Sequence, residues 1–294
     1  MTDIRTASTA DTAVAARLAS LRTLLSEAAP VVVAFSGGVD SSLLAWVAND
    51  ELGPQRAHAV TAVSPSLAEI ERHDARRLAE SWGVRHSEVE TLEMERAAYR
   101  RNDAQRCAHC KDALMDALEP VAGAEGATVV LGVNLDDLGD HRPGVDASAS
   151  RGARFPLVEA GFTKEDVRAA ARLLALEVWD KPAAPCLASR LPYGTPVSAP
   201  VLRTVGEAEA ALARLGFEEL RVRHYDDLAR IEVPPDRLGD VVAARAAVVA
   251  AVRAAGYSYV TLDLEGLRSG NLNAALGEAV GAATATGNAA ANAG

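Results

Sequence analysis

Short apolar runs alternate along the chain with longer segments in which apolar residues recur at helical spacing. This alternation is typical of an α/β protein, in which helices join the strands of a parallel sheet through right-handed crossovers. The first half predicts helices at residues 10–28, 43–49, 67–82 and 110–118, and strands at residues 31–35, 57–63, 84–89 and 128–133. We expect the apolar face of the first helix to pack against the first domain.

The second half predicts a helix that starts after Thr163, which stands at an N-cap position and is followed by acidic residues. Residues 181–200 contain five prolines, so regular structure is not expected there. We place the domain boundary in this stretch, with a first domain at residues 1–185. A small α+β domain at residues 186–272 follows from predicted helices at 201–215 and 237–255 and strands at 220–224, 229–233 and 257–262. The Ala/Gly-rich residues 273–294 are expected to be disordered.

Composition narrows the class of protein. The 294 residues, 49% of them hydrophobic, supply two buried cores. A net charge of −10 repels polyanions at long range, so a general nucleic-acid binder is not expected. Because no apolar run reaches the length of a membrane helix and the N-terminus lacks the pattern of a secretory signal, we expect a cytoplasmic protein without membrane contact.

A phosphate site is predicted at residues 36–42, Ser-Gly-Gly-Val-Asp-Ser-Ser, which link an apolar strand to a helix. Such a turn directs unpaired backbone N–H groups and the positive end of the helix dipole at one small volume that suits phosphate. The glycines permit close approach, the serines offer hydroxyl donors, and the aspartate suits magnesium. No lysine follows the glycines, so the loop is not of the kinase type. The candidate ATP ligands are Ser36, Gly37, Gly38, Asp40, Ser41 and Ser42, with Asp40 also assigned to Mg²⁺.

Further candidates follow the other predicted strands. Ligands of open α/β sheets bind outside the carboxyl ends of the strands, so Ser64 and Asn134 should line the same crevice as the loop. Asp136 and Asp137 are candidates to assist magnesium or ATP, and Arg142 is a candidate contact for phosphate or adenylate. Each of these three has the alternative role of ordering its own loop.

Three cysteines in a chain of this length do not form a disulfide scaffold and point to metal or thiol chemistry. Cys186 lies in a proline-stiffened segment with Lys181 and Arg190, whose charges would favour the nucleophilic thiolate. Cys107 and Cys110 have the spacing of two ligands to one metal or cluster, just before a predicted helix. Zinc, with His109 as a further ligand, or a redox disulfide needs the same spacing, so the residues alone leave this open.

These motifs together resemble a known family. Residues 36–42 match the SGGxDS loop of the PP-loop ATP pyrophosphatases, which adenylylate a substrate and release pyrophosphate. Residues 131–144 and 180–194, with 221–224, 231–232 and 257–270, resemble the LarE family of ATP-dependent sulfur transferases. That family serves the assembly of the nickel-pincer nucleotide cofactor of lactate racemase, and the resemblance covers most of residues 30–272.

The resemblance implies an enzyme that adenylylates a carboxylate of pyridinium-3,5-biscarboxylic acid mononucleotide and converts it to a thiocarboxylate. Cys186 would lie at the sulfur-delivery position. Arg221 and Arg223, two apart on a predicted strand, would point the same way and clamp the substrate phosphate. The family pattern places further acidic residues near that site, namely Glu209, Glu232 and Asp240. The alternative for all five is solvated surface.

The family contains members that consume their own cysteine sulfur and members that use a three-cysteine [4Fe-4S] cluster as a renewable carrier. This chain resembles the second kind, with Cys107, Cys110 and Cys186 as the cluster ligands. The alternatives are sacrificial transfer from Cys186 that leaves dehydroalanine, a tRNA thiolase of the same superfamily, and an ATP-sensing protein without turnover. The resemblance also implies a small nucleotide substrate, enzymes of the nickel-pincer pathway as partners, and a homo-oligomer.

Overall fold

The structure is a computed structural model that describes residues 9–138 and 143–268. It divides into two compact units. The first takes the described residues up to 187 together with residues 196–199, and the second takes residues 188–195 and the described residues from 200 onward. The predicted boundary after residue 185 lies beside this division, and the predicted tail at 273–294 lies outside the described residues. Over the described ranges, no helix combines the length and the apolar character needed to cross a membrane.

The first unit contains a four-stranded sheet in the order β3-β2-β1-β4, and every neighbouring pair is parallel. Its strands are β1 (Val31–Ala34), β2 (Ala57–Val63), β3 (His86–Glu90) and β4 (Thr128–Leu131). Its helices are α1 (Thr9–Ala28), α2 (Val39–Leu52), α3 (Glu69–Ser81), α4 (Ala97–Arg100), α5 (Arg106–Glu125), α6 (Pro143–Ser150), α7 (Pro156–Glu159) and α8 (Lys164–Leu173). The predicted α/β class with a parallel sheet is confirmed.

Both faces of this sheet are buried. Val31 and Val33 belong to a core formed with α1, α2 and α8, whereas Val32 belongs to a second core with Met115 and Leu118 of α5. Alternate residues of a strand point to opposite faces, which explains why β1 is an uninterrupted apolar run. The carboxyl ends of β1, β2 and β4 therefore open on the same edge of the sheet.

Helix α5 begins earlier than predicted. The sequence places its start near Cys110, but the helix starts at Arg106 and continues to Glu125. The Asp103 side chain accepts from the backbone N–H of Gln105 at 2.9 Å, and its carbonyl accepts from Arg106 N at 3.0 Å, so a local turn initiates the helix. Cys107 and Cys110 consequently lie in the first two turns of a helix and not before one.

The second unit has a three-stranded sheet in the order β5-β6-β7, formed by β5 (Arg221–Tyr225), β6 (Leu228–Glu232) and β7 (Tyr259–Leu262). The first pair is antiparallel and the second is parallel. Its helices are α9 (Ala199–Arg214), α10 (Leu238–Ala243) and α11 (Arg245–Ala254). The single helix predicted at 237–255 is thus wrong, because the chain breaks at Ala244.

The chain passes between the two units three times, since residues 196–199 return to the first unit. Val197 is buried there, and its backbone N–H donates to Arg100 O at 2.9 Å. From residue 181 to 198 the only helical piece is the 3-10 turn Leu187–Arg190, in agreement with the irregular structure that the prolines predict.

Candidate functional site

The predicted phosphate loop connects β1 to α2 at the open edge of the sheet. The Ser41 hydroxyl donates to Gly38 O at 3.1 Å, accepts from Ser36 N at 3.2 Å and lies 3.0 Å from the Ser36 hydroxyl. Gly37 has a φ of +74°, and a Cβ there would lie 3.3 Å from Ala75. The serine hydroxyls therefore fix the loop, and the first N–H groups of α2, which lack intrahelical acceptors, are the donors that a phosphate would use.

Gly132, immediately after β4, lies directly against this loop. A Cβ at this position would lie 2.8 Å from Ser41 N and 2.9 Å from the Asp40 carbonyl carbon, so the loop packs where a side chain would be. Our sequence analysis did not single out this residue. A glycine at the end of a strand that neighbours a phosphate loop is the signal that points to it.

Asp40 is the centre of a polar cluster. Its Oδ1 accepts from Asn134 Nδ2 at 3.0 Å and its Oδ2 accepts from Lys164 Nζ at 2.5 Å. The Asn134 Oδ1 accepts from the N–H groups of Asp136 and Asp137 at 3.0 and 3.3 Å, and an Asp136 carboxylate oxygen accepts from Lys164 N at 2.6 Å. The structure thus brings the predicted residues Asp40, Asn134, Asp136 and Asp137 together at the phosphate loop.

Lys164 is a residue of this cluster that sequence reasoning missed. The sequence pattern predicts it only as the start of a helix, where the predicted N-cap at Thr163 is confirmed and forms a capping box with Asp166. A cation at the first position of a helix opposes the helix dipole, so a lysine there is a signal that another interaction requires it. Here that interaction is the ion pair with Asp40.

Three other loop predictions have different outcomes. The Ser64 hydroxyl accepts from Ser66 N at 3.1 Å and so stabilises the turn after β2. Ser42 is fully buried, and its hydroxyl has no hydrogen-bond partner within the described chain, so it does not face the loop surface. Arg142 lies outside the described residues. The assignment of these residues to ATP stays a prediction.

In the first unit, Cys110 lies within electrostatic range of both Cys107 and Cys186. Burial raises the pKa of the Cys110 thiol to about 12, and negative charge on Cys186, Glu93 and Cys107 acts in the same direction. Cys107 and Cys186 are exposed, and none of the three forms a disulfide. Across residues 9–138 and 143–268, no three His, Cys, Asp or Glu side chains are grouped to hold one metal ion. Three cysteines are a suitable donor set for an iron–sulfur cluster, but their side chains do not form a three-ligand group in this arrangement.

The segment that carries Cys186 is attached on both sides. On one side, Leu187 N donates to Ser66 O at 2.8 Å. On the other, Lys181 Nζ contacts Glu71 at 2.8 Å, Asp74 at 3.2 Å and Gly37 O at 3.4 Å. The ammonium expected to act on the thiol is therefore occupied by two carboxylates.

Arg190, the other cation expected near the thiol, also forms an ion pair with a carboxylate. It is buried, and its guanidinium Nε and Nη2 donate to the two carboxylate oxygens of Glu209 at 2.9 and 2.8 Å. Both cations predicted to act on Cys186 are therefore paired with carboxylates, Lys181 with Glu71 and Asp74, and Arg190 with Glu209.

A buried polar network that the sequence did not indicate supports the Cys186 segment. The Ser66 hydroxyl lies 2.6 Å from the Tyr99 hydroxyl and 3.4 Å from the Glu93 carboxylate, which also accepts from Thr91 at 2.5 Å. Burial raises the pKa of Tyr99, and negative charge on Cys186 and Cys110 adds to the effect. Since Ser66 O holds Leu187, this network fixes the backbone next to the candidate sulfur site.

The second unit brings four of the five predicted substrate-phosphate residues together. Arg223 donates from Nε and Nη2 to Glu232 at 2.9 and 2.8 Å, so its guanidinium is hydrogen-bonded to a fully buried carboxylate. Glu209 accepts from Val222 N at 2.9 Å. Burial lowers the pKa of Arg221, as do the charges of Arg190 and Arg223. Arg223 is thus paired with another predicted residue of the same site, and the assignment of Arg221 and Arg223 to the substrate phosphate stays a prediction.

Asp240 is the exception in this group. Its carboxylate accepts from Arg237 at 2.7 Å, and 61% of its side chain is exposed. Arg237 also donates to Gly216 O, so this pair belongs to the surface formed by α10 and the end of α9. The described contacts of Asp240 do not include the arginine group around Glu209 and Glu232.

Comparison with known proteins gives matches that extend along the chain. The asparagine synthase family model matches residues 15–120, which include the phosphate loop and both cysteines of α5. An uncharacterized protein of Synechocystis sp. is 47% identical over 263 residues, which are 88% of this chain and 98% of the relative. The pyridinium-3,5-bisthiocarboxylic acid mononucleotide synthase of Lactiplantibacillus plantarum is 38% identical over 266 residues, 90% of this chain and 96% of that protein. An uncharacterized protein of Methanocaldococcus jannaschii is 25% identical over 240 residues, 81% of this chain and 91% of its own length.

Proposed function

The chain belongs to the LarE family, the family of the Lactiplantibacillus plantarum synthase, and we propose that it is an ATP-dependent sulfur transferase of nickel-pincer cofactor assembly. It adenylylates a carboxylate of pyridinium-3,5-biscarboxylic acid mononucleotide and converts that carboxylate to a thiocarboxylate. Sulfur reaches the substrate at Cys186.

One observation carries this proposal. The Cys186 segment and the phosphate loop lie in the same unit, and Lys181, five residues before the cysteine, reaches Gly37 O of the loop at 3.4 Å. On its other side, the segment is bonded through Leu187 to Ser66, beyond the carboxyl end of β2. A nucleotide in the loop and a sulfur nucleophile at Cys186 would therefore act at one edge of one sheet.

The reaction needs both the nucleotide and the sulfur nucleophile. A free carboxylate repels a nucleophile and has no adequate leaving group. One of its oxygens attacks the α-phosphorus of ATP, and pyrophosphate departs with the electron pair of the broken P–O bond. The sulfur nucleophile then adds to the activated carbonyl carbon, and AMP leaves with the former carboxylate oxygen. Binding of the pyrophosphate group by the loop N–H groups and by Lys164 stabilises the first step.

The residues around Asp40 fit a magnesium ion. Carboxylate oxygens are ligands that this cation prefers, and the carboxylates of Asp40 and Asp136 lie within one cluster, both bonded to Lys164. Magnesium bound by Asp40 would neutralise phosphate charge and would replace Lys164 as the partner of the Asp40 carboxylate. Lys164 would then be available to the phosphates.

For the sulfur source, we propose Cys107, Cys110 and Cys186 as ligands of a [4Fe-4S] cluster, which would supply a renewable sulfur site. Cys110 interacts electrostatically with both Cys107 and Cys186, and three cysteines are a suitable donor set for such a cluster. Sacrificial transfer from Cys186 is the second candidate. It is favoured by the exposure of this thiol and by the absence of a closed three-ligand group in the described residues.

Turnover by oxygen-free protein tests both proposals. We expect the purified full chain to release pyrophosphate only when the nucleotide dicarboxylate is present, and to hold about four irons per chain. Cys107→Ala should lose the iron and multiple turnover, whereas Cys186→Ala should lose thiolation altogether. Iron-free protein that thiolates substrate once and leaves dehydroalanine at residue 186 would establish the sacrificial route. Absence of substrate-dependent pyrophosphate release would refute the proposed enzyme.

A further inference from the structure

The contacts of Lys181 join the cysteine-bearing segment to the phosphate loop. Its side chain is only 16% exposed, and its ammonium lies among Glu71, Asp74 and the carbonyl of Gly37. Glu71 and Asp74 are one turn apart on α3, so they form a carboxylate pair that faces the loop. The three N–H donors of this ammonium thus link α3 to the phosphate loop.

The backbone of this segment is held from a second direction by α8. Arg168 donates to Trp179 O at 2.8 Å and to Lys181 O at 2.9 Å. Arg168 lies one helical turn after Lys164, whose ammonium pairs with Asp40 of the phosphate loop. One face of α8 therefore contacts both the loop and the start of the Cys186 segment.

Between the two attachments, the chain is short and stiff. Residues 182–186 are exposed, and they include Pro182 and Pro185, whose fixed φ angles limit bending. A displacement of Lys181 is therefore transmitted toward Cys186 and is not absorbed by a flexible loop. The other end is fixed by the bond from Leu187 to Ser66.

We propose that Lys181 is a positioning residue that couples nucleotide binding in the phosphate loop to the position of Cys186. The inference rests on the proposed function. Phosphates in the loop add negative charge beside an ammonium that two carboxylates hold at present, so its contacts are redistributed when the loop is filled. The segment follows Lys181, and the thiol changes position when ATP is bound.

Hydrogen–deuterium exchange of the full chain tests this coupling. The probe is a non-hydrolysable ATP analogue with magnesium, and binding is measured separately by calorimetry. In the unmodified chain, the analogue should change exchange in the peptide that spans residues 181–187 several-fold. Lys181→Met should still bind the analogue but lose this response, and Lys181→Arg should restore it.

The control is Arg77→Met, which removes another cation beside Asp74 without touching the loop. It should keep the full response. If the unmodified chain binds the analogue without a change at residues 181–187, or if Lys181→Met responds normally, the inference is wrong. A loss of response in Arg77→Met would also overturn it.

Two further outcomes separate the inference from the proposed function. Failure of the unmodified chain to bind the analogue would count against the proposed function itself. If Lys181→Met does not fold, Glu71→Gln replaces it, and exchange at residues 181–187 without nucleotide should rise several-fold. Unchanged exchange in Glu71→Gln would overturn the inference.

Discussion

Gly132→Ala is the substitution for which the structure gives the sharpest expectation. The added methyl carbon would lie 2.8 Å from Ser41 N, 2.9 Å from the Asp40 carbonyl carbon and 3.0 Å from Ser41 Cα, whereas ordinary contact begins at 3.4 Å. All three neighbours are backbone atoms of the phosphate loop, so no side chain can rotate away. The loop and the end of β4 must separate.

Two quantities should change. Overpacking of this kind costs about 1–3 kcal/mol of the free energy of unfolding. A displacement of 1 Å at a reacting group costs about 10²-fold in rate, so a shift of a few tenths of an ångström should reduce substrate-dependent pyrophosphate release by about tenfold. Urea unfolding followed by circular dichroism and a pyrophosphate assay measure the two effects.

Gly123→Ala is the matched control, because it adds the same methyl to the same unit on α5, where nothing lies within 4 Å. Alanine is the better helix former, so this variant should gain about 0.5–1 kcal/mol and keep its activity. A Gly132→Ala protein with the stability and turnover of the unmodified chain would refute the packing argument.

Two other predictions concern charged groups. Lys164→Met should reduce substrate-dependent pyrophosphate release by at least about tenfold, because it removes a cation from the phosphate loop. Lys164→Arg should recover part of this activity. Equal rates in Lys164→Met and the unmodified chain would exclude a role of Lys164 in binding the phosphates. Arg72 and Arg76 lower the pKa of Glu88 from 4.5 to about 2, so its contribution to stability is present above pH 4.5 and is lost as the pH falls toward 2. After allowance for solvent screening, Glu88→Gln should cost about 1 kcal/mol at pH 7, and a urea-unfolding difference that did not shrink between pH 4.5 and 2 would contradict this.

Features that depend on neighbours in sequence were predictable. Strand β2 has the predicted bounds, and Thr163 is the N-cap of α8 as predicted, because local patterns specify both. The start of α5 was missed because it depends on one side chain, Asp103, in a segment without apolar periodicity. The break at Ala244 occurs between residues that all favour helix, so composition carries no signal for it.

The candidate site was predictable only as separate motifs. Residues 36–42 and the segment around Cys186 stand out in the sequence, but what joins them does not. The contacts of Lys164 with Asp40 and of Lys181 with Gly37 O cross more than a hundred residues, and they depend on how the sheet brings its strand ends together. The same is true of Arg223, whose pairing with Glu232 is set by the register of β5 and β6.

The return of residues 196–199 to the first unit bears on how this chain can be divided. A fragment that ended at residue 187 would lack Val197 and its bond to Arg100, and so would leave a hole where that buried side chain packs. Exchange of the second unit between relatives would require three cuts. Fragments and chimaeras should therefore keep residues 188–199 continuous with both halves.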